Sequence, residues 1–595
     1  MKGIASLSYT KRWLIVATIL GVVSGFSALI FYAAIQFMEH IFLSTFVGMV
    51  TPHPAGEGGV ANFVYAVKNY WFIPVSIIVG GLLSGLIVYR FAPEAEGHGT
   101  DAAIHSFHEG KGKIRRRIPL IKGLASAITI GSGGSAGREG PTAQIAAGIG
   151  SWFADLMGMS ENDRRIAVSV CVGAGIGTIF KAPIGGAILA AEILYKRDLE
   201  VEVIYPSIIA GAVGYAIFGS IVGFTPVFGN NVISFNILGL PMYAVLGIVT
   251  GLLSIVYIKS FYGIHDRFKK LEISNYMKPV IGAAVVGLLA LIFPEIMATG
   301  YGWVQIMMNG SLQQIPTFGV PLLIILILLP IVKIVATSFS IGSGGSGGVF
   351  APGLSIGASI GLILFMLFHL ISPTVAVVAA PFVIIGMLSF FGAAGKAPIA
   401  VLIMVVEMTG SLMVLPGAMV AIMIAYFVSG DYTIYRSQVR TRKDSPVHFE
   451  EYNLSILAGI RLREIPMSNI SLDVNSTVAS ARKQMARHNA ASLPVISSRK
   501  IVGIAYLFDL NESSGKTKVE KVMKREEVSM GLTNSAEEAW GMMARNKTTW
   551  MPVVENGRYL GSVTLDSILS EYEKRLERKV STEKKEAAHG QYTPA

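Results

Sequence analysis

Charged side chains are scarce in this chain of 595 residues, where Asp, Glu, Lys and Arg make up 15%, against roughly 25% in soluble domains. Hydrophobic residues make up 52%, so most of the chain suits lipid rather than water. The single cysteine, Cys171, excludes an internal disulfide. The N-terminus lacks a small-residue cleavage site after a short apolar core. We therefore interpret the run from Leu14 to Phe37 as a retained membrane helix, not a signal peptide.

Sequence signatures of enzymes are missing as well. The chain has no metal-ligand spacing, nucleophile elbow or Walker loop. We predict that it is not an enzyme and that its basic activity requires no metal or cofactor. A cation transporter, such as a magnesium channel, is a remote alternative. It would need several carboxylates or carbonyls converging within the apolar runs, and these runs contain few acids.

The net charge of +11 could indicate a nucleic-acid partner, but the basic residues lie beside apolar runs. The clusters are Lys11-Arg12, Lys111 to Arg117, Lys196-Arg197, Arg267 to Lys270 and Arg440 to Lys443. This distribution is the positive-inside pattern of membrane proteins. It predicts an integral membrane protein with cytoplasmic termini, no nucleic-acid partner, and an outer loop at residues 40–72. The compact form and the lack of targeting signals suit a prokaryotic plasma membrane.

An internal duplication is the strongest pattern in the chain. Residues 131–150 read GSGGSAGREGPTAQIAAGIG, and residues 342–361 read GSGGSGGVFAPGLSIGASIG. A second pair follows: KAPI at 181–184 leads to Glu192, and KAPI at 396–399 leads to Glu407. Apolar runs broken by Gly and Pro, occurring once in each half, are typical of transporters with inverted repeats and broken helices. The predicted fold class is therefore an α-helical polytopic membrane protein with two inverted repeats.

The segment Gly137 to Pro141 has the chemistry of an anion site. Glycine allows close backbone approach, and proline suits the first turn of a helix. A helix that starts here points free N–H groups and its positive end at whatever precedes it, which favours an anion. Glu139 would then compete with the anion until it is protonated, which makes it a gate. The alternative is that these glycines only let helices pack closely.

These segments resemble the CLC family of chloride channels and chloride/proton exchangers. GREGP at 137–141 and GVFAP at 348–352 match two signature segments of that family, and Gly97 to Asp101 falls at a third. The segment Ile434 to Gln438 matches the one that supplies the pore tyrosine. The resemblance covers about residues 10–445, and the chain downstream is similar to a pair of cytoplasmic α/β CBS domains. It implies chloride transport by a homodimer with one pathway per subunit.

The resemblance also implies roles for single residues. Glu139 matches the external gating and proton-accepting glutamate. Val349 and Phe350 match the residues whose N–H groups hold the central anion, and the Tyr435 hydroxyl closes its inner side. The expected anion-binding set is Val349, Phe350, Tyr435, His98, Arg138 and Gly140. His98 departs from the family, which usually has serine there. It either donates a ring N–H to chloride or is a loop residue facing cytoplasmic water.

A second departure concerns proton coupling. Exchangers of this family usually carry an inner proton-relay glutamate, and Ile193 stands at that position, directly after Glu192. The protein is therefore either a proton-coupled exchanger in which water carries the proton to Glu139, or a passive chloride channel. For Glu192 and Glu407 we expect structural roles at helix ends or backbone N–H groups, and the alternative for Glu192 is a part in proton entry. Lys181 and Lys396 are expected near inner helix ends, attracting anions by their field or simply snorkelling.

The predicted domains follow from the change of composition after Tyr435. They are a transport domain at 1–443, a linker at 444–459, CBS domains at 460–515 and 516–575, and a charged tail at 576–595. Each CBS unit half-matches the ribose-binding pattern of that domain, in which Ser or Thr precedes Asp by three residues. The candidate nucleotide-binding residues are Tyr506, Asp509, Thr564 and Ser567. The ligand would be a regulatory adenine nucleotide (ATP, ADP or AMP), and the alternative is a purely structural dimerising module.

Overall fold

The computed structural model describes residues 8–60, 62–231, 233, 235–448, 456–525, 528–546 and 548–589, without the side chains of 578–589. The chain divides into two compact units, Met1–Val447 and His448–Ala595. The predicted linker at 444–459 includes residues 449–455, which lie outside the described residues. The same holds for residues 590–595 of the predicted tail.

The first unit is helical. Its main helices are α1 (Tyr9–Glu39), α2 (Phe72–Phe91), α3 (Thr100–His108), α4 (Ile118–Gly131), α5 (Glu139–Leu156), α6 (Glu161–Ile179), α7 (Pro183–Glu192), α8 (Val201–Val222), α9 (Leu240–Lys270), α10 (Met277–Ile292), α11 (Tyr301–Met308), α12 (Leu322–Gly342), α13 (Phe350–Ile371), α14 (Ala380–Gly395), α15 (Pro398–Thr409) and α16 (Leu415–Val428). Within the described residues, six spans are long and apolar enough to cross a membrane, and further apolar helices have only 10–17 residues. The predicted mixture of full and broken spans is confirmed.

Glu192 and Glu407 join the two repeats by a reciprocal exchange of hydrogen bonds. Glu192 accepts from the N–H groups of Ile399 and Ala400 at the start of α15, at 3.1 and 2.7 Å. Glu407 accepts equivalent bonds from the start of α7, at 3.2 and 2.7 Å. The first N–H groups of a helix have no partner within the helix, so each carboxylate satisfies two of them. The expected structural role of both residues is confirmed.

Two buried lysines, Lys122 on α4 and Lys333 on α12, stabilise the turns that precede α3 and α11. They are 1% exposed or less, and each Nζ donates to two backbone carbonyls. Lys122 donates to the carbonyls of Ala95 and Gly97, at 3.0 and 2.7 Å. Lys333 donates to the carbonyls of Ile296 and Ala298, at 2.8 and 3.2 Å. Both loops are therefore tied to the helix that ends at the duplicated GSGGS segment.

Lys181 and Lys396 do not share the surroundings predicted for them. The Lys181 Nζ donates to the carbonyl of Gly56 at 2.9 Å, within the segment 40–72 that was predicted to lie outside. The Lys396 Nζ donates to the carbonyl of Tyr426 at 3.2 Å, near the end of α16. With the predicted orientation, in which residues 40–72 lie outside, the prediction that both lie at inner helix ends does not hold for Lys181. Inverted repeats turn equivalent residues towards opposite faces, so one shared location was not to be expected.

The second unit contains two α/β halves. Strands β1 (Leu472–Asp473), β2 (Ser492–Ser497) and β3 (Lys500–Tyr506) form one sheet in that order, and β4 (Trp550–Glu555) pairs antiparallel with β5 (Arg558–Thr564). The helices are α17 (Val478–Arg487), α18 (Leu507–Asn511), α19 (Ala536–Asn546) and α20 (Leu565–His589). Each half repeats a helix, a proline-containing strand and a second strand, as predicted.

Candidate functional site

The two duplicated segments meet directly in the first unit. Gly137 and Gly348, which precede α5 and α13, exchange two backbone hydrogen bonds of 2.7 Å. The starts of the two helices therefore lie side by side, and their free N–H groups point into a shared space. This arrangement concentrates positive partial charge where the sequence predicts an anion.

Glu139 occupies part of this shared space. Its Oε1 accepts a hydrogen bond of 2.7 Å from the N–H of Ala351, in the first turn of α13. Its Oε2 is buried and has no hydrogen-bond partner among the described residues. A Cβ atom on Gly137 would collide with the carboxylate, and a Cβ atom on Gly348 would collide with the carboxylate and with backbone atoms of Gly137 and Gly140. The side chain therefore uses a donor from the helix start that would otherwise face an anion.

The third signature segment packs onto the same place. The N–H of Gly97 donates to Gly345 at 2.9 Å, and the N–H of Gly347 donates back to Gly97 at 3.2 Å. Gly140 lies against the backbone carbonyl of His98, and a Cβ atom there would collide with that oxygen. The structure thus brings His98 into contact with the segment that contains Glu139 and Gly140, although the two segments are distant in the chain.

The side chains of His98 and Tyr435 lie next to each other. Their ring centroids are 5.5 Å apart, and His98 and Tyr435 are 6% and 2% exposed. The Nδ1 of His98 is buried without a hydrogen-bond partner in the described part of the chain. His98 is therefore largely buried, although it also lines the vestibule. Its role as an anion donor stays a prediction.

The segment around His98 also lines a vestibule with a volume of about 660 Å³. Three of its lining side chains are basic and three are acidic: Lys269, Lys278, Arg436, Glu94, Glu96 and Asp101. With histidine neutral, their formal charges cancel, so the vestibule wall carries no excess of positive charge.

Val349 and Phe350 are buried at the start of α13, and their role as anion donors stays a prediction. The carbonyl of Val349 accepts a hydrogen bond of 3.0 Å from the hydroxyl of Tyr257, on α9. The ring of Phe350 lies 4.4 Å from that of Phe391. These contacts fix the direction in which the helix start points. Tyr257 was missed by the sequence analysis because nothing distinguishes it within a long apolar helix.

Arg138 is placed differently from the rest of the expected anion-binding set. Its guanidinium pairs with Glu57 and lies 5.4–5.6 Å from the ring centroids of Tyr32, Phe180 and Tyr301. Its positive charge is therefore already neutralised. The structure does not bring it together with His98 and Tyr435, so a direct bond from Arg138 to the anion is unsupported.

Ile193, at the position of the family's proton relay, is 3% exposed. Its side chain lines a cavity of about 10 Å³ together with Thr100 on α3 and Ser169 on α6. The described residues that line this cavity include no ionisable side chain. A proton that passes here must therefore move on water or along hydroxyl groups.

The four candidate nucleotide-binding residues lie at or just after the ends of β3 and β5 in the second unit. Asp509 Oδ2 is 3.6 Å from the Nζ of Lys524, which lies 5.0 Å from the ring centroid of Tyr506. Thr564 and Ser567 bond to each other's backbone at the start of α20. Tyr506 and Trp550 line the same cavity, which has a volume of only about 10 Å³.

Comparison with known proteins agrees with this arrangement. The family described as "Voltage gated chloride channel" matches residues 80–430, and "CBS domain" matches residues 462–514 and 519–574. The chain belongs to the voltage-gated chloride channel family. Members of this family are transporters and channels, and the C-terminal region of this chain is a CBS pair.

Individual relatives share the transport unit. "Uncharacterized protein MJ0305" of Methanocaldococcus jannaschii is 28% identical over 68% of this chain and 96% of its own length. The "Voltage-gated ClC-type chloride channel ClcB" of Salmonella typhimurium is 27% identical over 70% of this chain and 96% of its own. These matches cover nearly the whole of each relative, so the CBS pair lies beyond the shared region.

Three solved structures share the fold. A slow cyanobacterial Cl⁻/H⁺ antiporter has a TM-score of 0.59 at 24% identity, covering 72% of this chain and 97% of its own. A CLC-type fluoride/proton antiporter has a TM-score of 0.61 at 19% identity, covering 73% and 100%. A eukaryotic CLC transporter has a TM-score of 0.57 at 19% identity and covers 94% of this chain and 98% of its own.

Proposed function

We propose that this protein exchanges chloride for protons across the membrane and that Glu139 is the gate. The contact between the Glu139 carboxylate and the Ala351 N–H carries this proposal. A carboxylate bound to the start of α13 excludes chloride from that donor, and a protonated side chain releases it. Chloride and protons then use the same place in turn, which is the requirement for coupled exchange.

A passive chloride channel is the second candidate, and Ile193 favours it. The small cavity beside Ile193 has no ionisable group in its described wall, so the proton has no side chain to carry it inward from that cavity. Exchange requires water molecules to carry the proton from this cavity to Glu139. Glu139 favours exchange, because a titratable group in the anion path lets chloride movement depend on protonation.

Chloride efflux from proteoliposomes tests the anion assignment. Vesicles loaded with potassium chloride are diluted into chloride-free buffer, valinomycin is added, and a chloride electrode follows the outside. We expect efflux above that of protein-free vesicles, increasing as the pH falls. Absence of efflux at both neutral and acidic pH would contradict the assignment.

His98 is proposed to donate its ring N–H to chloride. The expected result of His98→Ala is weaker binding, by about 5- to 10-fold in Kd, since one hydrogen bond contributes about 1 kcal/mol. His98→Ser, with a shorter donor, should restore part of the loss. Isothermal titration of the detergent-solubilised protein with chloride measures both variants. His488→Ala, in which an exposed histidine of the CBS pair is removed, is the control. Unchanged binding in His98→Ala would rule out the donor role.

The CBS pair is proposed to bind an adenine nucleotide that regulates transport. Because the space between Tyr506 and Trp550 is small, binding requires these side chains to move and Lys524 to leave Asp509. We expect ATP, ADP or AMP to bind the whole protein and to change chloride efflux. Asp509→Asn should weaken binding by roughly 10-fold, as expected for loss of a charge-assisted hydrogen bond. Glu537→Gln, on the exposed face of α19, should not. A protein that binds none of the three nucleotides would leave the pair with a structural role.

The same proposal includes a homodimer in a prokaryotic plasma membrane, with one pathway per subunit and both termini in the cytoplasm. The distribution of basic clusters supports this orientation. Exposed apolar side chains on α8 and α16, such as Ile221 and Phe427, suit contact with lipid or with the second subunit.

A further inference from the structure

The two ends of the proposed chloride pathway differ greatly in size. The vestibule beside His98 has a volume of about 660 Å³. The cavity beside Arg138 and Tyr301, lined by the end of α1, has a volume of about 60 Å³. This second mouth has about a tenth of the volume of the vestibule. The pathway is wide at one end and narrow at the other.

The segment Thr51–Gly59, here called the lid segment, forms much of the roof of the small mouth. Backbone hydrogen bonds fasten it in place. The N–H of Ala55 donates to the Gln305 side chain at 3.1 Å, and the N–H of Gly56 donates to the carbonyl of Val227 at 2.9 Å. The lid segment contains little regular structure, only a single 3₁₀ turn at Ala55–Glu57. The Lys181 Nζ also donates to the carbonyl of Gly56 at 2.9 Å. The lid segment is thus a loop held by separate contacts rather than a part of a packed helix.

An ion pair joins the lid segment to the gate. Glu57 lies in the lid segment, and Arg138 directly precedes Glu139 in the chain. Their side chains are only 9% and 4% exposed. Because the pair is shielded from water, it is stronger than a surface ion pair. Opening the lid segment would separate these charges, and closing it would restore them next to the gating carboxylate.

We propose that the lid segment opens and closes over the small mouth and that the Glu57–Arg138 pair is its latch. This inference rests on the proposed function of Glu139. It assigns Arg138 a positioning role in place of direct anion binding. Opening of the lid segment then limits how fast chloride passes between the Glu139 site and the solution on that side.

A disulfide between the lid segment and the body of the protein tests this proposal. The Cβ of Ala55 lies 3.3 Å from the position that a Cβ on Gly229 would take, slightly below the spacing of about 3.5–4.5 Å found in disulfides. Gly229 has a φ of +71°, which strains any other residue there, so the single variant Gly229→Cys measures the effect of that strain by itself. Gly229 lies in a segment anchored by the bond from the Phe228 N–H to Met408 O, 2.8 Å long. Cys171 is the only native cysteine, and it is buried.

In the double variant Ala55→Cys/Gly229→Cys, oxidation should reduce chloride efflux to below about a tenth, as expected if lid opening limits turnover. A reducing agent should restore it. The two single variants, treated with the same oxidant, are the controls. If mass spectrometry verifies the cross-link and the protein still shows full chloride efflux, the proposal that the lid segment opens is wrong. Failure of the proposed function would look different, because the unmodified protein and the reduced double variant would then both release chloride without moving protons, or release no chloride at all.

A second variant covers the case in which the cross-link does not form. Glu57→Gln removes the latch charge and keeps the side-chain volume, so we expect efflux to increase by several-fold. Glu161→Gln removes the carboxylate of an exposed ion pair with Arg165 and should leave efflux unchanged. Efflux from correctly folded Glu57→Gln that is equal to or below that of the unmodified protein would overturn the latch.

Discussion

Chloride efflux from the Glu139→Gln variant is expected to lose its pH dependence, and proton movement is expected to disappear. Glutamine has nearly the size of the protonated side chain and cannot carry the negative charge that competes for the Ala351 N–H. Chloride therefore has access to the start of α13 at every pH. The measurement is chloride efflux together with internal pH, recorded from neutral to mildly acidic conditions.

In the unmodified protein, the sign of the pH dependence follows from the same contact. Lowering the pH protonates Glu139, releases the donor and increases chloride flux, whereas raising the pH restores the competing carboxylate. Glu161→Gln, which changes an exposed carboxylate of α6, should keep this dependence. If Glu139→Gln still transports protons, or stays as pH-dependent as the unmodified protein, Glu139 is not the gate.

Gly140→Ala is expected to abolish chloride transport. The added Cβ would collide with the carbonyl of His98 and lie 3.2 Å from the Cα of Gly348, and both neighbours are backbone atoms that belong to the site. Forcing a methyl group into a tightly packed position costs about 1–3 kcal/mol. Relief of the strain must separate the three signature segments, so we expect efflux below about a tenth of normal.

Gly123→Ala is the matched control for this variant. Gly123 lies in α4, and an added Cβ would find its nearest neighbour at 3.5 Å, an ordinary van der Waals distance. This variant should keep normal efflux and normal thermal stability. If Gly140→Ala folds and transports chloride at the normal rate, the contact between Gly140 and His98 is not needed for the pathway.

Much of the transport unit could be predicted because its characteristic sequence segments occur twice in the chain. The duplicated GSGGS and KAPI segments predict the repeats, and the reciprocal capping by Glu192 and Glu407 agrees with their equivalent positions. The duplication also contains a signal that the sequence analysis missed. Lys122 and Lys333 stand at the same distance before the two GSGGS segments, and the structure shows both lysines holding loop carbonyls.

Other features depend on contacts that no local pattern reveals. Glu57 and Arg138 are 81 residues apart, and nothing in the sequence around Glu57 distinguishes it from an ordinary loop residue. The burial of His98 likewise depends on Phe261 and Tyr435, which come from other parts of the chain. The error over Lys181 had a different origin, because its counterpart was assumed to share its side of the membrane. Inversion of the repeat makes that assumption false.

Internal pH in proteoliposomes under an outward chloride gradient tests the central claim most directly. The voltage is clamped with valinomycin and potassium, and the same preparation of Glu139→Gln serves as the control. We predict that chloride leaving the vesicles drives protons inward against their gradient, and that Glu139→Gln abolishes this movement. Chloride flux without any proton movement in the unmodified protein would contradict exchange and show that the protein is a passive channel.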